Sequence, residues 1–120
     1  PMDGVSLAPV LRGETQRLRE CLHFEHAPCY SPLQAFQALT DGQFKYIWRP
    51  LDGSEQLFDL ARDPREEHDL ARGPSRRALL GQWRARMVRQ LAGRPEGFSD
   101  GTHLIPGRPY PALQAKLKEL

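Results

Sequence analysis

Four histidines, two cysteines and one acidic run are the residues of this chain whose types could do chemistry. They are His23, His26, His68 and His103, Cys21 and Cys29, and the stretch DPREEHD from Asp63 to Asp69. HFEH, holding His23 and His26, superficially offers paired metal ligands. On a strand, however, residues three apart point to opposite faces, so these two cannot reach one ion. No other His or Cys stands at ligand spacing, and no metal site is expected. Two cysteines make neither a disulfide framework nor a metal site. The chain between them would have to fold back before their Cα atoms came within about 7 Å. Free thiols are therefore the default, with a single disulfide left open. The acidic run reads as structure: Asp63 before Pro64 fits the N-cap of a short helix, with Glu66 as capping-box partner and the acids at its positive end. No GxSxG elbow, P-loop or GxGxxG loop occurs. No catalytic residue is assigned.

The elements that must position these residues follow from turns and periodicity. Arg19–His26, RECLHFEH, alternates as a half-buried strand, with Leu22, Phe24 and His26 on one side and Cys21, His23 and Glu25 on the other. APCYSP is a loop. LQAFQALT, Leu33–Thr40, suits strand or helix, and the Asp41-Gly42 step that follows tips it toward strand, because DG between two such runs signals a hairpin. Phe44, Tyr46 and Trp48 then share one strand face. PLDGS makes a second turn, and EQLFDL a further strand with Phe58 and Leu60 on one side. The aromatic face needs a cover, since an isolated sheet of this size is marginal in water. Leu80, Trp83, Met87 and Leu91, widened by Leu79, Val88 and Ala92, form a helical stripe between Gly73-Pro74 and a left-handed cap at Gly93. The expected fold class is α+β: a small antiparallel sheet of about four strands covered on one face by one long helix. The Gly/Pro-rich stretch after Arg94 reads as loop, and ALQAKLKEL as a short terminal helix. The segment before Gly13 reads as a short amphipathic piece with nothing ahead of it to pack against.

A length of 120 residues, 39% hydrophobic and 27% charged, fits one soluble domain with a modest core. No apolar run approaches the roughly 20 residues of a membrane span. The opening PMDGVSLAPVLRG lacks the basic start and apolar core of a signal peptide, and any export signal is expected upstream. Cytoplasm and periplasm both stay open. The net charge is only +2, but its distribution is uneven: seven Arg and no acid from Arg72 to Arg94, six acids against two Arg from Glu55 to Asp69. No motif for base or phosphate recognition accompanies the Arg residues, so pairing of one half with the other is the preferred reading over nucleic-acid binding.

Three motifs in order resemble type I sulfatases, the arylsulfatase-like members of the alkaline phosphatase superfamily. DGVSLAPVLRG resembles the segment that closes their large catalytic domain, TDGQFKYIW their C-terminal strand, and EQLFDLARDPREEHDLA their hairpin-and-turn, with Asp69 where Asn is common. The likeness covers about Asp3 to Leu91; GFSDGTHLIPGRPYP resembles, more weakly, extensions of some bacterial members. The resemblance implies a parent enzyme that hydrolyses sulfate esters with a formylglycine, made from Cys or Ser in C/S-x-P-x-R, and a Ca²⁺ held by Asp and Asn residues of the large N-terminal domain. Cys21 is followed by LHFE and Cys29 by YSPL, so neither fits, and this chain itself is expected to hold no cofactor.

On this resemblance, residues 1–14 are the tail of an N-terminal catalytic domain, 15–93 the C-terminal subdomain, and 94–120 an extension. The principal partner is that catalytic domain. The loops Glu25–Ser31 and the stretch near His103 and Arg108 are the candidates for reaching the substrate pocket. His26 is suited to donating a hydrogen bond and Arg108 to pairing an anion, with His103 as a third candidate, beside the alternative that these loops touch no substrate. A competing class is a free-standing module binding an acidic partner through the Arg-rich helix. If the segment before Gly13 and the sheet edge normally meet a larger domain, the chain alone is expected to self-associate, as a homodimer.

Overall fold

Two Asp-Gly turns set the sheet. The computed structural model describes residues 4–109. In it, β1 (Leu22–His26), β2 (Phe36–Thr40), β3 (Phe44–Trp48) and β4 (Glu55–Asp59) form one antiparallel sheet in chain order. Between β2 and β3, Gly42 takes φ +92°, and the Asp41 carboxylate accepts from the N–H groups of Gln43 and Phe44 at 3.0 and 2.8 Å. A left-handed residue of this kind is what a three-residue hairpin loop requires, and Gly meets it without a Cβ penalty. Gly53 repeats the device between β3 and β4 at φ +74°, with Asp52 accepting from the Ser54 N–H at 2.9 Å.

The register places Leu39, Tyr46 and Leu57 side by side on one face. Helix α2 (Arg77–Leu91), entered through a 3₁₀ turn at Pro74–Arg76, lies over that face. Its Leu80, Trp83, Met87 and Leu91 join Leu39, Tyr46, Trp48 and Leu57 in one core, the stripe read from the sequence. Gly93 ends the segment at φ +74°. A much shorter helix, α1 (Ala8–Leu11), precedes the sheet and buries no residue.

Several expectations are corrected. β1 begins at Leu22 rather than Arg19. It is mostly exposed rather than half-buried, only His23 of its five residues being partly covered. The first part of Leu33–Thr40 is a 3₁₀ turn, Pro32–Gln34, with Ser31 as its cap; only Phe36 onward is strand. On β4 the helix-facing residue is Leu57, while Phe58 is buried on the reverse of the sheet. Ala92 lies beyond the helix and is exposed. No helix follows Asp63: Glu66 sits at φ +58° and its carboxylate pairs with Lys45 Nζ at 2.8 and 2.9 Å, so it cannot act as a capping-box partner. The cap belongs instead to Asp69, which opens a 3₁₀ turn at Leu70–Arg72. The expected terminal helix lies outside the described residues.

The Gly/Pro-rich stretch after Arg94 is loop, yet it contributes to the core. Phe98 is fully buried, edge-on to Trp48 with ring centroids 5.6 Å apart. Ser99 Oγ donates to the Val88 carbonyl at 2.8 Å, and the Ile105 N–H to the Phe98 carbonyl at 2.9 Å, tying the loop to the end of α2.

Candidate functional site

The three residues singled out in the sequence do not converge. His26, at the end of β1, stacks on Phe36 with ring centroids 5.7 Å apart and 16° between planes. His23, by contrast, points to the helix side, its Nε2 2.9 Å from Gln37 Oε1, so the opposite-face reading of HFEH holds. Gln37 is fully buried, and Glu25 faces it across the β1–β2 ladder. His103 is 78% exposed, with Nδ1 2.9 Å from Thr102 Oγ1. It rims a shallow cleft with Asp52, Glu55 and Arg84. Arg108 lines a different cleft of about 420 Å³, whose other walls are Pro32, Ala35, Pro50 and Leu51. Its guanidinium packs over Gly97, 3.7 Å from where a Cβ would stand. His26 lines neither cleft.

Charge pairing is the more developed chemistry of this surface. Glu55, at the start of β4, accepts from the Tyr46 hydroxyl at 2.5 Å and from Arg84 Nε and Nη2 at 2.7 and 2.6 Å. Burial, then the Glu55 carboxylate, pushes the Tyr46 phenol far above the ordinary tyrosine range, so it stays a donor. Arg94, just past α2, bridges Glu25 of β1 at 3.0 Å and Glu96 at 2.7 Å. The guanidinium holds Glu96 below the ordinary glutamate range. At Glu25 burial pushes upward, but the hydrogen bonds from Arg94 and Gln37 and the Arg94 charge oppose it, and the net direction is also down. Arg86 stands 4.7 Å from the Trp83 ring centroid and 3.8 Å from Asp41. Of the seven Arg between Arg72 and Arg94, four (Arg72, Arg84, Arg86 and Arg94) thus carry an acidic partner. Pairing of the basic stretch with the acidic one, the reading preferred from the sequence, holds for Arg72 and Arg84, whose partners are Asp69 and Glu55, whereas Arg86 and Arg94 pair with Asp41, Glu25 and Glu96 outside that stretch.

One group approaches metal-ligand geometry. Asp63, Glu67 and His68 bring one ligand atom each within 4.8 Å of one another. Spacing rules for His and Cys overlooked it, because two of its members are carboxylates. Both Asp63 oxygens already accept backbone N–H bonds, from Glu67 at 3.1 Å and His68 at 2.8 Å. Those bonds, chiefly that from His68, hold the carboxyl below its ordinary range. An exposed loop with its best carboxylate so engaged does not fit the Asp/Asn-bound calcium that the resemblance implies. Cys21 and Cys29 are both free thiols, and neither heads a C/S-x-P-x-R sequence. Among the described residues, then, no nucleophile, base and cation site are gathered together, and no helix is long and apolar enough to cross a membrane.

A four-stranded antiparallel sheet roofed by one helix, with four Arg of the helix region paired to acids, defines an α+β module. Its relatives give that module a family. No family model matches the chain. An arylsulfatase of Clostridium perfringens is 28% identical over 113 residues, which are 94% of this chain and 23% of that protein. A choline-sulfatase of Rhizobium meliloti is 39% identical over 85 residues, 68% of this chain and 16% of that protein. The solved structure of a 2-O GAG sulfatase matches with a TM-score of 0.65 at 27% identity, covering 74% of this chain and 20% of that one. The chain has sulfatase-family homology, and it spans about a fifth of the length of the relatives it matches.

Proposed function

We propose that these residues are the C-terminal, non-catalytic portion of a type I sulfatase that hydrolyses sulfate esters, and that they buttress the portion carrying the formylglycine and calcium. The observation that carries the reading is the partial span of the homology. Relatives named as sulfatases are matched over about a fifth of their length, by a segment with no C/S-x-P-x-R sequence. The role is mechanical: the sheet and α2 make a rigid block, and rigid blocks position loops that act elsewhere. Of the candidates for reaching substrate, Arg108 is the best placed, beside an apolar cleft where a cation can meet an anionic group. The interaction-module reading draws less support, because Arg84, Arg86 and Arg94 already have acidic partners within the fold.

A chromogenic aryl sulfate tests the reading. The 120-residue chain is expected to give no turnover with or without added calcium. Calcium-dependent turnover by the chain alone would overturn it.

A further inference from the structure

Arg108 differs from Arg84, Arg86 and Arg94 in what it faces. Those three have acidic partners, whereas no carboxylate among the described residues pairs with Arg108. Its guanidinium lies over Gly97 and borders the cleft of about 420 Å³. Every other side chain lining that cleft is apolar. Ala35 and Pro50 are buried beneath it, while Pro32, Pro109 and Leu51, which is 43% exposed, stand at its sides. Nearby backbone carbonyls are engaged: Pro32 accepts from the Ala35 N–H at 3.2 Å and Pro50 from the Gly107 N–H at 2.8 Å. The second of these bonds fixes Arg108 beside the β3–β4 turn. Pro106 packs there too, so closely that a Cβ on Gly53 would lie 3.2 Å from the proline ring. The cleft is thus built before any ligand arrives.

The geometry points to this cleft as a binding site for a small organic anion with an apolar body, an aryl or alkyl group carrying one sulfate or carboxylate. Its size lies within the ordinary range for small ligands, about 300–1,000 Å³, and such sites combine apolar walls with a few orienting polar groups. The apolar body displaces water from Pro32, Pro50, Leu51 and Pro109, while the guanidinium fork receives the anion. A sugar suits the site badly. Its hydroxyls would lose water against walls that offer no hydrogen-bonding side chain apart from Arg108. Binding of this kind goes beyond the proposed function: this chain alone holds the ligand, and no reaction is involved.

The test follows the amide resonances of Ala35, Leu51 and Gly107 in the isotope-labelled 120-residue chain during titration. Both 2-naphthyl sulfate and 2-naphthoate are expected to shift them saturably, and the ratio of the two affinities tells which anion the site prefers. The alcohol 2-naphthol, which lacks the anion, and glucose 6-sulfate, which lacks the apolar body, are expected to bind about fivefold more weakly or worse. Arg108→Gln is expected to weaken 2-naphthyl sulfate about fivefold and to leave 2-naphthol unchanged. Leu51→Asp sets a carboxylate in an exposed wall and is expected to weaken 2-naphthyl sulfate about tenfold or more, with the fold checked by tryptophan fluorescence. Arg65→Gln removes a charge from an exposed position in the loop after β4 and is expected to change nothing. No saturable shift at the three amides, equal affinity for 2-naphthol or glucose 6-sulfate, or full binding by Arg108→Gln overturns the site. Each of these leaves the proposed function standing, since that rests on the span of the homology. Turnover of an aryl sulfate by the chain alone overturns the proposed function and leaves the site.

Discussion

Replacing Glu55 by Ala tests how the buried polar hub contributes to stability. In the native chain one carboxylate serves a fully buried phenol and a half-exposed guanidinium. Removing it leaves the Tyr46 hydroxyl inside the core without its acceptor, a loss of about 1–3 kcal/mol. Arg84, 48% exposed, recovers water, so its share is below about 1 kcal/mol. The expected cost of Glu55→Ala is therefore about 2–3 kcal/mol, most of it from the stranded hydroxyl. Tyr46→Phe leaves Glu55 with Arg84 and is expected to cost about 1–1.5 kcal/mol. In the double variant no hydroxyl remains to be stranded, so the combined cost falls short of the sum by about 1 kcal/mol. Urea denaturation followed by the fluorescence of the buried Trp48 and Trp83 measures all three. Costs that add to within about 0.5 kcal/mol would refute the reasoning, because they would mean that Tyr46 and Glu55 do not depend on each other.

Trp83→Ala, at the centre of the helix–sheet contact and 2% exposed, is expected to cost about 3–5 kcal/mol, read by the loss of far-ultraviolet circular dichroism at lower urea. Asp69→Ala removes the bonds to Leu57 and Ala71 and is expected to cost about 1–2 kcal/mol and to speed exchange of the Leu57 amide, while Asp69→Asn, which keeps an acceptor oxygen, stays near neutral. Arg94→Gln tests the acid limb. Glu25 and Glu96 have folded pKa values below their ordinary 4.5, so the stability they confer is full above that value and is lost as the pH falls through the lower folded ones. The wild type is accordingly more stable than Arg94→Gln at pH 7, and the gap closes toward pH 3; a gap that is constant or widens in acid would contradict the assignment.

The fold was legible where local chemistry and tertiary packing agree. Asp41-Gly42 announced its hairpin because only a left-handed residue closes so short a loop, and the Leu80–Trp83–Met87–Leu91 stripe announced α2 because its spacing allows one buried face. Phe98 was not legible: it stands in a Gly/Pro-rich stretch without periodicity, and its burial depends on Trp48, fifty residues earlier in the sequence. Leu57 and Phe58 could not be ranked, since adjacent apolar residues on a strand point to both faces and only the register decides which meets the helix. Glu66 misled for a related reason. DPREE has the letters of a capping box, but the salt link to Lys45, 21 residues earlier, holds Glu66 in a left-handed turn that ends any helix. At the candidate site, the opposed faces of His23 and His26 followed from strand alternation alone. The separation of His26, His103 and Arg108 into different surroundings is tertiary, and no spacing rule carries it.

Sequencing the reading frame upstream of Pro1 tests the claim of a sulfatase portion most directly. Several hundred residues in continuous frame, containing C/S-x-P-x-R, are the predicted result. An initiation codon at Met2 with no coding sequence before it would contradict it.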